Sequence, residues 1–166
     1  MGIHQLNHAV LYVGELPRSV AFYTEVLGFT VIAELSGAAF LRAADSTNDH
    51  DLGLFQGRPR AIVPGGVGLY HLAWEVVTLG ELAELRDRLS EAAALVGSSD
   101  HGTTKSLYGK DPDGLEFEIV WLVPADRLTG EEGMIVDPLD LDAEIARYGR
   151  DTRGGIGISV PAATGH

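Results

Sequence analysis

Three polar side chains stand on segments that are otherwise apolar: His8, His71 and Glu118. Two neutral imidazoles and one carboxylate are the donor set of the facial triad that holds non-haem Fe(II) and leaves positions open for other ligands. The alternative is that each histidine is a hydrogen-bonded core or rim residue and that Glu118 faces solvent. Because the chain has no cysteine, any bound metal must be held by His, Asp or Glu. These three residues are therefore the candidate metal ligands.

The segments that carry these residues repeat one order of elements. Apolar periodicity, turn residues and a capping-box pattern at residues 78–81 define the elements. Strands are predicted at residues 6–13, 29–35, 38–44, 51–55, 69–76, 94–96, 104–110 and 116–121, and helices at residues 17–27 and from residue 78 to about 92. The order β-α-β-β-β thus occurs twice, with His8 and His71 on the first strand of each copy. Because His8 and His71 occupy matched positions in the two copies, a single site built by both copies is favoured over two unrelated histidines.

The fold class expected from this repeat is α+β, with two paired β-α-β-β-β modules. One such module buries its sheet poorly alone, whereas two can curl around a shared cavity. The modules cover about residues 4–56 and 69–122, separated by a linker rich in Gly and Pro, and together form a domain of residues 1–122. Residues 123–166 are a C-terminal extension with one predicted helix at residues 139–148, and we expect it to supply no metal ligand.

Composition narrows the class of partner. The chain has 166 residues, 45% of them hydrophobic, which suits one globular domain. Its formal net charge of −12 repels phosphate backbones and anionic lipid headgroups, so nucleic acid and membrane surfaces are poor partners. The first residues lack the pattern of a signal peptide, and no run of 18 apolar residues occurs, so we expect a cytoplasmic protein.

Several motifs together resemble the vicinal oxygen chelate superfamily, which includes glyoxalases, bleomycin-binding proteins and extradiol ring-cleaving dioxygenases. They are LNHAVLYV at residues 6–13, SVAFY at 19–23, LGF at 27–29, YHLAWEV at 70–76 and DPDG at 111–114, ending at Glu118. The resemblance covers residues 4–122 and implies a curled mixed sheet around a metal-binding cavity. The run from residue 100 to 114, DHGTTKSLYGKDPDG, looks most like catechol 2,3-dioxygenase members.

This resemblance implies a function and a set of roles. His8, His71 and Glu118 fall on the iron ligands, and His101 and Tyr108 fall on catalytic positions beside them. The family's further histidine must be covered here by His50 or Asp51. The implied reaction is extradiol cleavage of a catechol-like aromatic with Fe(II), or Mn(II) or another divalent metal, and O2 as co-substrate. Relatives of this size also resemble one another in forming homodimers, so a homodimer or higher homo-oligomer is expected.

Two other functions fit the resemblance. Glyoxalase-like isomerases and lyases use a fourth protein ligand from the last strand of the first module, often a glutamate. Gly53 aligns with that position, which favours dioxygen chemistry, whereas Asp51 on the same strand face would favour the isomerase. A metal-free drug-binding resistance protein is the third possibility, although burial of a drug needs no ligand triad.

Overall fold

The computed structural model describes residues 2–3, 5–58, 65–130, 132 and 135–155. They form two compact units. The first unit consists of residues up to Val67 together with Asp111–Leu115, and the second consists of Gly68–Lys110 and the residues from Glu116 onwards. In the described part of the chain, no helix has the length and apolar character needed to cross a membrane.

The first unit contains one β-α-β-β-β module with a four-stranded mixed sheet. The order of the strands is β1-β4-β3-β2, and β1 and β4 are parallel while the other neighbours are antiparallel. The elements are β1 (Ala9–Val13), α1 (Leu16–Ala21), β2 (Thr30–Leu35), β3 (Ala38–Arg42) and β4 (Leu52–Gln56). Strand β1 begins three residues later than predicted, because its pairing with β4 begins where Ala9 meets Leu52.

Helix α1 continues into a π-helical segment, Phe22–Val26, which the periodicity did not predict. The hydroxyl of Thr24 donates to the carbonyl oxygens of Val20 and Ala21, at 2.9 and 3.2 Å. Such side-chain bonds to the preceding turn compete with the regular helical ladder. The segment ends at Val26, and two residues later Gly28 has a φ of +79°, which suits glycine.

The first unit also includes the turn at Asp111–Leu115. The carboxylate of Asp113 accepts from the backbone N–H of Gly14 at 2.9 Å and from the Arg18 guanidinium at 2.7 Å. The hydroxyl of the buried Tyr23 donates to Asp111 at 3.2 Å. Burial, together with the neighbouring carboxylate of Asp111, raises the pKa of Tyr23 far above its ordinary value. This turn therefore supplies polar partners to α1 and to residues on either side of it.

The second unit repeats the module. Its strand order is β5-β8-β7-β6, again with one parallel pair, β5 and β8. The elements are β5 (Leu72–Glu75), α2 (Leu79–Glu91), β6 (Leu95–Asp100), β7 (Thr104–Lys110) and β8 (Glu116–Leu122). The capping box is confirmed: Thr78 accepts from the N–H of Glu81, and the Glu81 carboxylate accepts from the N–H of Thr78. The prediction of an α+β protein with two β-α-β-β-β modules is confirmed.

Residues of the C-terminal extension pack on the second unit. Asp137 forms an antiparallel bridge with Asp100 at the end of β6. Helix α3 (Leu141–Tyr148) follows, two residues shorter than predicted, and the Tyr148 ring lies 5.5 Å from that of the fully buried Trp121. Beneath α3, the ammonium group of Lys105 is 2.5 Å from Asp100 and 3.0 Å from Glu144. The extension is thus tied to the sheet by backbone, ring and charge contacts.

Candidate functional site

Two of the three predicted metal ligands meet in the second unit. His71 immediately precedes β5, and Glu118 lies on the adjacent parallel strand β8, where Ala73 is its register partner. The Nε2 atom of His71 is 3.1 Å from Oε2 of Glu118, and the side chains are 24% and 14% exposed. Within the described residues, the buried Nδ1 of His71 has no hydrogen-bond partner. The strand pairing therefore brings both side chains to one point.

The His71–Glu118 pair has the ligand types and the spacing of two ligands of one divalent metal. Imidazole nitrogen and carboxylate oxygen suit Fe(II), Mn(II) and Zn(II), with bonds of about 2.1 Å. Two such ligands at a right angle are about 3.0 Å apart, and the observed separation is 3.1 Å. The same distance suits a hydrogen bond, so the geometry is compatible with a metal and does not require one.

The third predicted ligand, His8, belongs to the first unit. It immediately precedes β1, as His71 precedes β5, so the two histidines occupy equivalent places in their modules. The His8 side chain is exposed, and its Nδ1 lies 2.8 Å from Oδ1 of Asn7. In the portion of the chain described, no three His, Asp or Glu side chains form a group that could hold a metal ion. The complete triad thus remains a prediction.

His50 is the neighbour of His8 in the first unit. The two imidazole rings are 4.5 Å apart, and the Phe40 ring lies 5.1 Å from His50. The sequence left open whether His50 or Asp51 enters the site. Within the first unit, His50 is the one whose ring lies against a predicted ligand.

Asp51 is hydrogen-bonded within the loop that precedes it. Its carboxylate accepts from the N–H of Ala43, from the Ser46 hydroxyl and from the Asn48 amide, at 2.7 to 2.8 Å. Burial acts to raise the pKa of Asp51, but these hydrogen bonds outweigh burial and leave the pKa below its ordinary value. The carboxylate therefore anchors the loop between β3 and β4.

Gly53, the position that aligns with the glyoxalase-type fourth ligand, lies in apolar surroundings. A Cβ atom added there would lie 3.4 to 3.7 Å from side-chain atoms of Val10, Phe55 and Phe40. Neither Gly53 nor the fully engaged Asp51 offers a free carboxylate at this end of β4.

Both predicted acid–base residues lie beside the His71–Glu118 pair. Tyr108 is the register partner of Glu118 across β7 and β8, and its hydroxyl is 3.5 Å from Oε1 of Glu118. The same hydroxyl is 2.8 Å from Nε2 of His101. Burial and then the negative charge of Glu118 raise the pKa of Tyr108, so the phenol stays protonated at neutral pH. A chain of polar groups therefore runs from His101 through Tyr108 to the carboxylate.

The sequence did not predict the contacts that hold His101 in place. Its Nδ1 is 3.0 Å from the carbonyl oxygen of Ile135, and its backbone N–H donates to Thr104 at 2.9 Å. The φ of Gly102 is +77°, and its N–H donates to Asp100, closing a tight turn after the histidine. The His-Gly pair was a signal for that turn, whereas no pattern in residues 123–166 indicated Ile135.

Comparison with known proteins adds independent findings. Residues 5–119 match the model of the Glyoxalase/Bleomycin resistance protein/Dioxygenase superfamily. Biphenyl-2,3-diol 1,2-dioxygenase 3 of Rhodococcus globerulus is 37% identical over 123 residues, which are 69% of this chain and 62% of that protein. Catechol-2,3-dioxygenase of Bacillus subtilis is 33% identical over 123 residues, 70% of this chain and 42% of that protein. The chain thus spans less than two thirds of either dioxygenase.

Other similar proteins carry different names. A glutathione transferase of Serratia marcescens and a probable lactoylglutathione lyase of Vibrio cholerae are among them. Among solved structures, a glyoxylase/bleomycin resistance protein/dioxygenase domain from Frankia sp. EAN1pec is similar with a TM-score of 0.60 at 21% identity. That similarity covers 74% of this chain and all of the Frankia chain, and it supports the fold alone.

Proposed function

Because the chain belongs to the glyoxalase/bleomycin resistance protein/dioxygenase superfamily, we propose that it is a metal-dependent extradiol dioxygenase that opens a catechol-like ring with O2. The observation that carries the proposal is the continuous polar chain from His101 through Tyr108 to Glu118 and His71. It brings together an imidazole that can accept a proton, a neutral phenol, and a histidine and a glutamate that can bind a metal. The relatives named as diol dioxygenases support the same class of substrate.

In this proposal His8, His71 and Glu118 hold one divalent metal, with Fe(II) as the expected ion. Such an ion would supply a Lewis acid for the diol and a redox-active centre for O2.

The protein's own groups then handle the protons. A catechol must lose a proton when it binds through both oxygens, and the imidazole of His101 can accept that proton and later return it. The Tyr108 phenol can hydrogen-bond to a substrate oxygen without losing its own proton, because its pKa is raised. His50, whose ring lies 4.5 Å from that of His8, is in this proposal a further residue that contacts the substrate.

The rival function is that of a lactoylglutathione lyase, a name found among the similar proteins. Two observations in the first unit weigh against it. The carboxylate of Asp51 is already bound by three donors, and the Gly53 position is surrounded by apolar side chains.

A reaction assay separates these two functions. Protein purified without oxygen and loaded with Fe(II) should consume O2 and form a yellow ring-opened product from catechol or 2,3-dihydroxybiphenyl. A hemithioacetal of glutathione should not turn over. Turnover of the hemithioacetal without ring cleavage would replace the dioxygenase proposal with the lyase.

Metal content tests the ligand set separately from the reaction. Replacement of His8, His71 or Glu118 by Ala should each abolish tight metal retention. Glu116→Gln, on the same strand as Glu118, and His50→Ala, beside His8, are the matched controls and should retain the metal. Unchanged metal content in the three ligand variants would refute the triad.

The proton-transfer role has its own test. His101→Ala should keep the metal and bind substrate, yet lose roughly 10²- to 10⁴-fold in turnover, the usual contribution of general acid–base catalysis. Tyr108→Phe should lose less, because it removes one hydrogen bond and no proton carrier. Normal turnover in His101→Ala would assign proton transfer elsewhere, with His50 as the next candidate.

A further inference from the structure

The C-terminal extension reaches the ring of His101. The Nδ1 atom of His101 lies 3.0 Å from the carbonyl oxygen of Ile135, which is the acceptor of the contact. A backbone carbonyl oxygen can only accept a hydrogen bond, so a bond at this distance requires a proton on Nδ1. In the neutral ring, Nε2 is then the atom with the free electron pair.

The other side of the ring agrees with this tautomer. Nε2 of His101 is 2.8 Å from the hydroxyl of Tyr108, which can donate its proton to that electron pair. The phenol has one proton, and the distance to His101 is shorter than the 3.5 Å to Glu118. The direction of the hydrogen bonds therefore runs from Tyr108 to Nε2 and from Nδ1 to Ile135.

The position of Ile135 is itself fixed by backbone pairing. Two residues further on, Asp137 and Asp100 exchange two hydrogen bonds, from Asp100 N–H at 2.8 Å and from Asp137 N–H at 3.0 Å. Asp100 directly precedes His101, so this bridge holds the extension against the residue next to the ring. The Lys105 ammonium group forms ion pairs with Asp100 and with Glu144 of α3, and so links the extension to the same residue, Asp100.

We propose that residues 135–137 of the extension are a positioning element that fixes His101 as the Nδ1–H tautomer, leaving Nε2 as its proton acceptor. The catalytic consequence rests on the proposed function: when the Tyr108 phenol hydrogen-bonds to the bound substrate instead, the electron pair of Nε2 is free to accept the substrate proton. The tautomer itself can be measured in protein that carries no metal, so its failure and the failure of the proposed activity are distinguishable.

Nitrogen-15 NMR of the full chain labelled at histidine tests the proposal. Long-range proton–nitrogen correlations at mildly alkaline pH distinguish an Nδ1–H from an Nε2–H ring, and the His101 signal is identified by its loss in His101→Gln. The wild-type protein should show His101 in the Nδ1–H form. The Nε2–H form in the wild type would overturn the proposal without any further variant.

Two variants assign the cause. Asp137→Pro removes the N–H that donates to Asp100, and should shift His101 towards the Nε2–H form; Asp137→Ala keeps the backbone N–H and is the matched control. Tyr108→Phe should retain the Nδ1–H form, because the extension and not the phenol sets it. An unchanged tautomer in folded Asp137→Pro, or a shifted one in Tyr108→Phe, would overturn the proposal. If Asp137→Pro does not fold, the wild-type and Tyr108→Phe spectra decide.

Activity gives a second readout. Asp137→Pro should lose about tenfold or more in kcat with little change in KM or metal content, because the substrate still binds but the ring less often presents the acceptor atom. A loss of metal or a rise in KM alone would indicate a merely structural effect and count against the positioning role.

Discussion

Lys105→Met should be among the most destabilising substitutions in the second unit. The side chain is 1% exposed, and its ammonium group lies between the carboxylates of Asp100 and Glu144, themselves 20% and 13% exposed. Methionine has a similar length and fills the space, so the change removes the charge and leaves two neighbouring carboxylates without their shared cation. Breaking a buried ion pair by removing one partner costs about 3–5 kcal/mol.

The matched control is Lys110→Met on the same strand. Lys110 is 50% exposed, and its ammonium group lies 3.8 Å from the carboxylate of Glu116. Surface ion pairs of this kind contribute about 0–1 kcal/mol to stability. For a chain of this size, each kcal/mol shifts the melting temperature by about 2–4 °C, so Lys105→Met should lower it by about 6–20 °C. Urea unfolding should give the same order of the two variants.

A double-mutant cycle identifies the origin of the loss. The double variant Lys105→Met/Glu144→Gln should lose less free energy of unfolding than the sum of the two single variants. The reason is that Glu144→Gln removes a carboxylate that Lys105→Met leaves unpaired. If Lys105→Met unfolded with the same midpoint as Lys110→Met, the buried ion pair would not stabilise this unit, and the reasoning would be refuted.

Three further outcomes are expected. Asp51→Asn should lower the free energy of unfolding at neutral pH without loss of metal. Because the pKa of Asp51 in the folded protein is below its ordinary value, the contribution is present above the ordinary carboxyl pKa and is lost as pH falls through the lowered pKa, so the urea midpoints of variant and wild type should converge in acid. Metal loss would instead make Asp51 a ligand. Gly109→Ala should cost about 1–3 kcal/mol by thermal unfolding, because its Cβ would collide with the Phe117 ring; an unchanged midpoint would contradict this packing. Thr78→Ala should cost about 1 kcal/mol by removing the cap of α2, whereas Thr103→Ala, outside any helix, should be close to neutral.

The contacts that could be predicted from the sequence are those between residues close in sequence or on neighbouring strands of one module. Thr78 and Glu81 are three residues apart, and the capping box formed as predicted. Glu118 and Tyr108 face each other across a hairpin, where a spacing of ten residues and a DPDG turn define the register. His71 and Glu118 meet because parallel pairing of β5 and β8 follows from the β-α-β-β-β order.

The residues that the sequence missed depend on contacts with distant segments. Lys105 is a charged residue on a strand, which is ordinarily exposed, and its burial follows from a helix that begins 36 residues later at Leu141. Nothing near Ile135 marks its carbonyl as an acceptor for His101. Asp51 has the residue type of a ligand, and the sequence did not predict that its carboxylate accepts three hydrogen bonds from the preceding loop.

The turn at Asp111–Leu115 bears on how this chain could have arisen by duplication of a half-length gene. Two copies of one module suggest an ancestor with a single copy, yet the present first unit is not encoded by the first half alone. A fragment ending in the linker would lack the carboxylate that binds Gly14 N–H and Arg18, and the acceptor of the Tyr23 hydroxyl. The first unit thus needs a turn from the second half of the sequence, and we expect a split version of the protein to need both fragments expressed together.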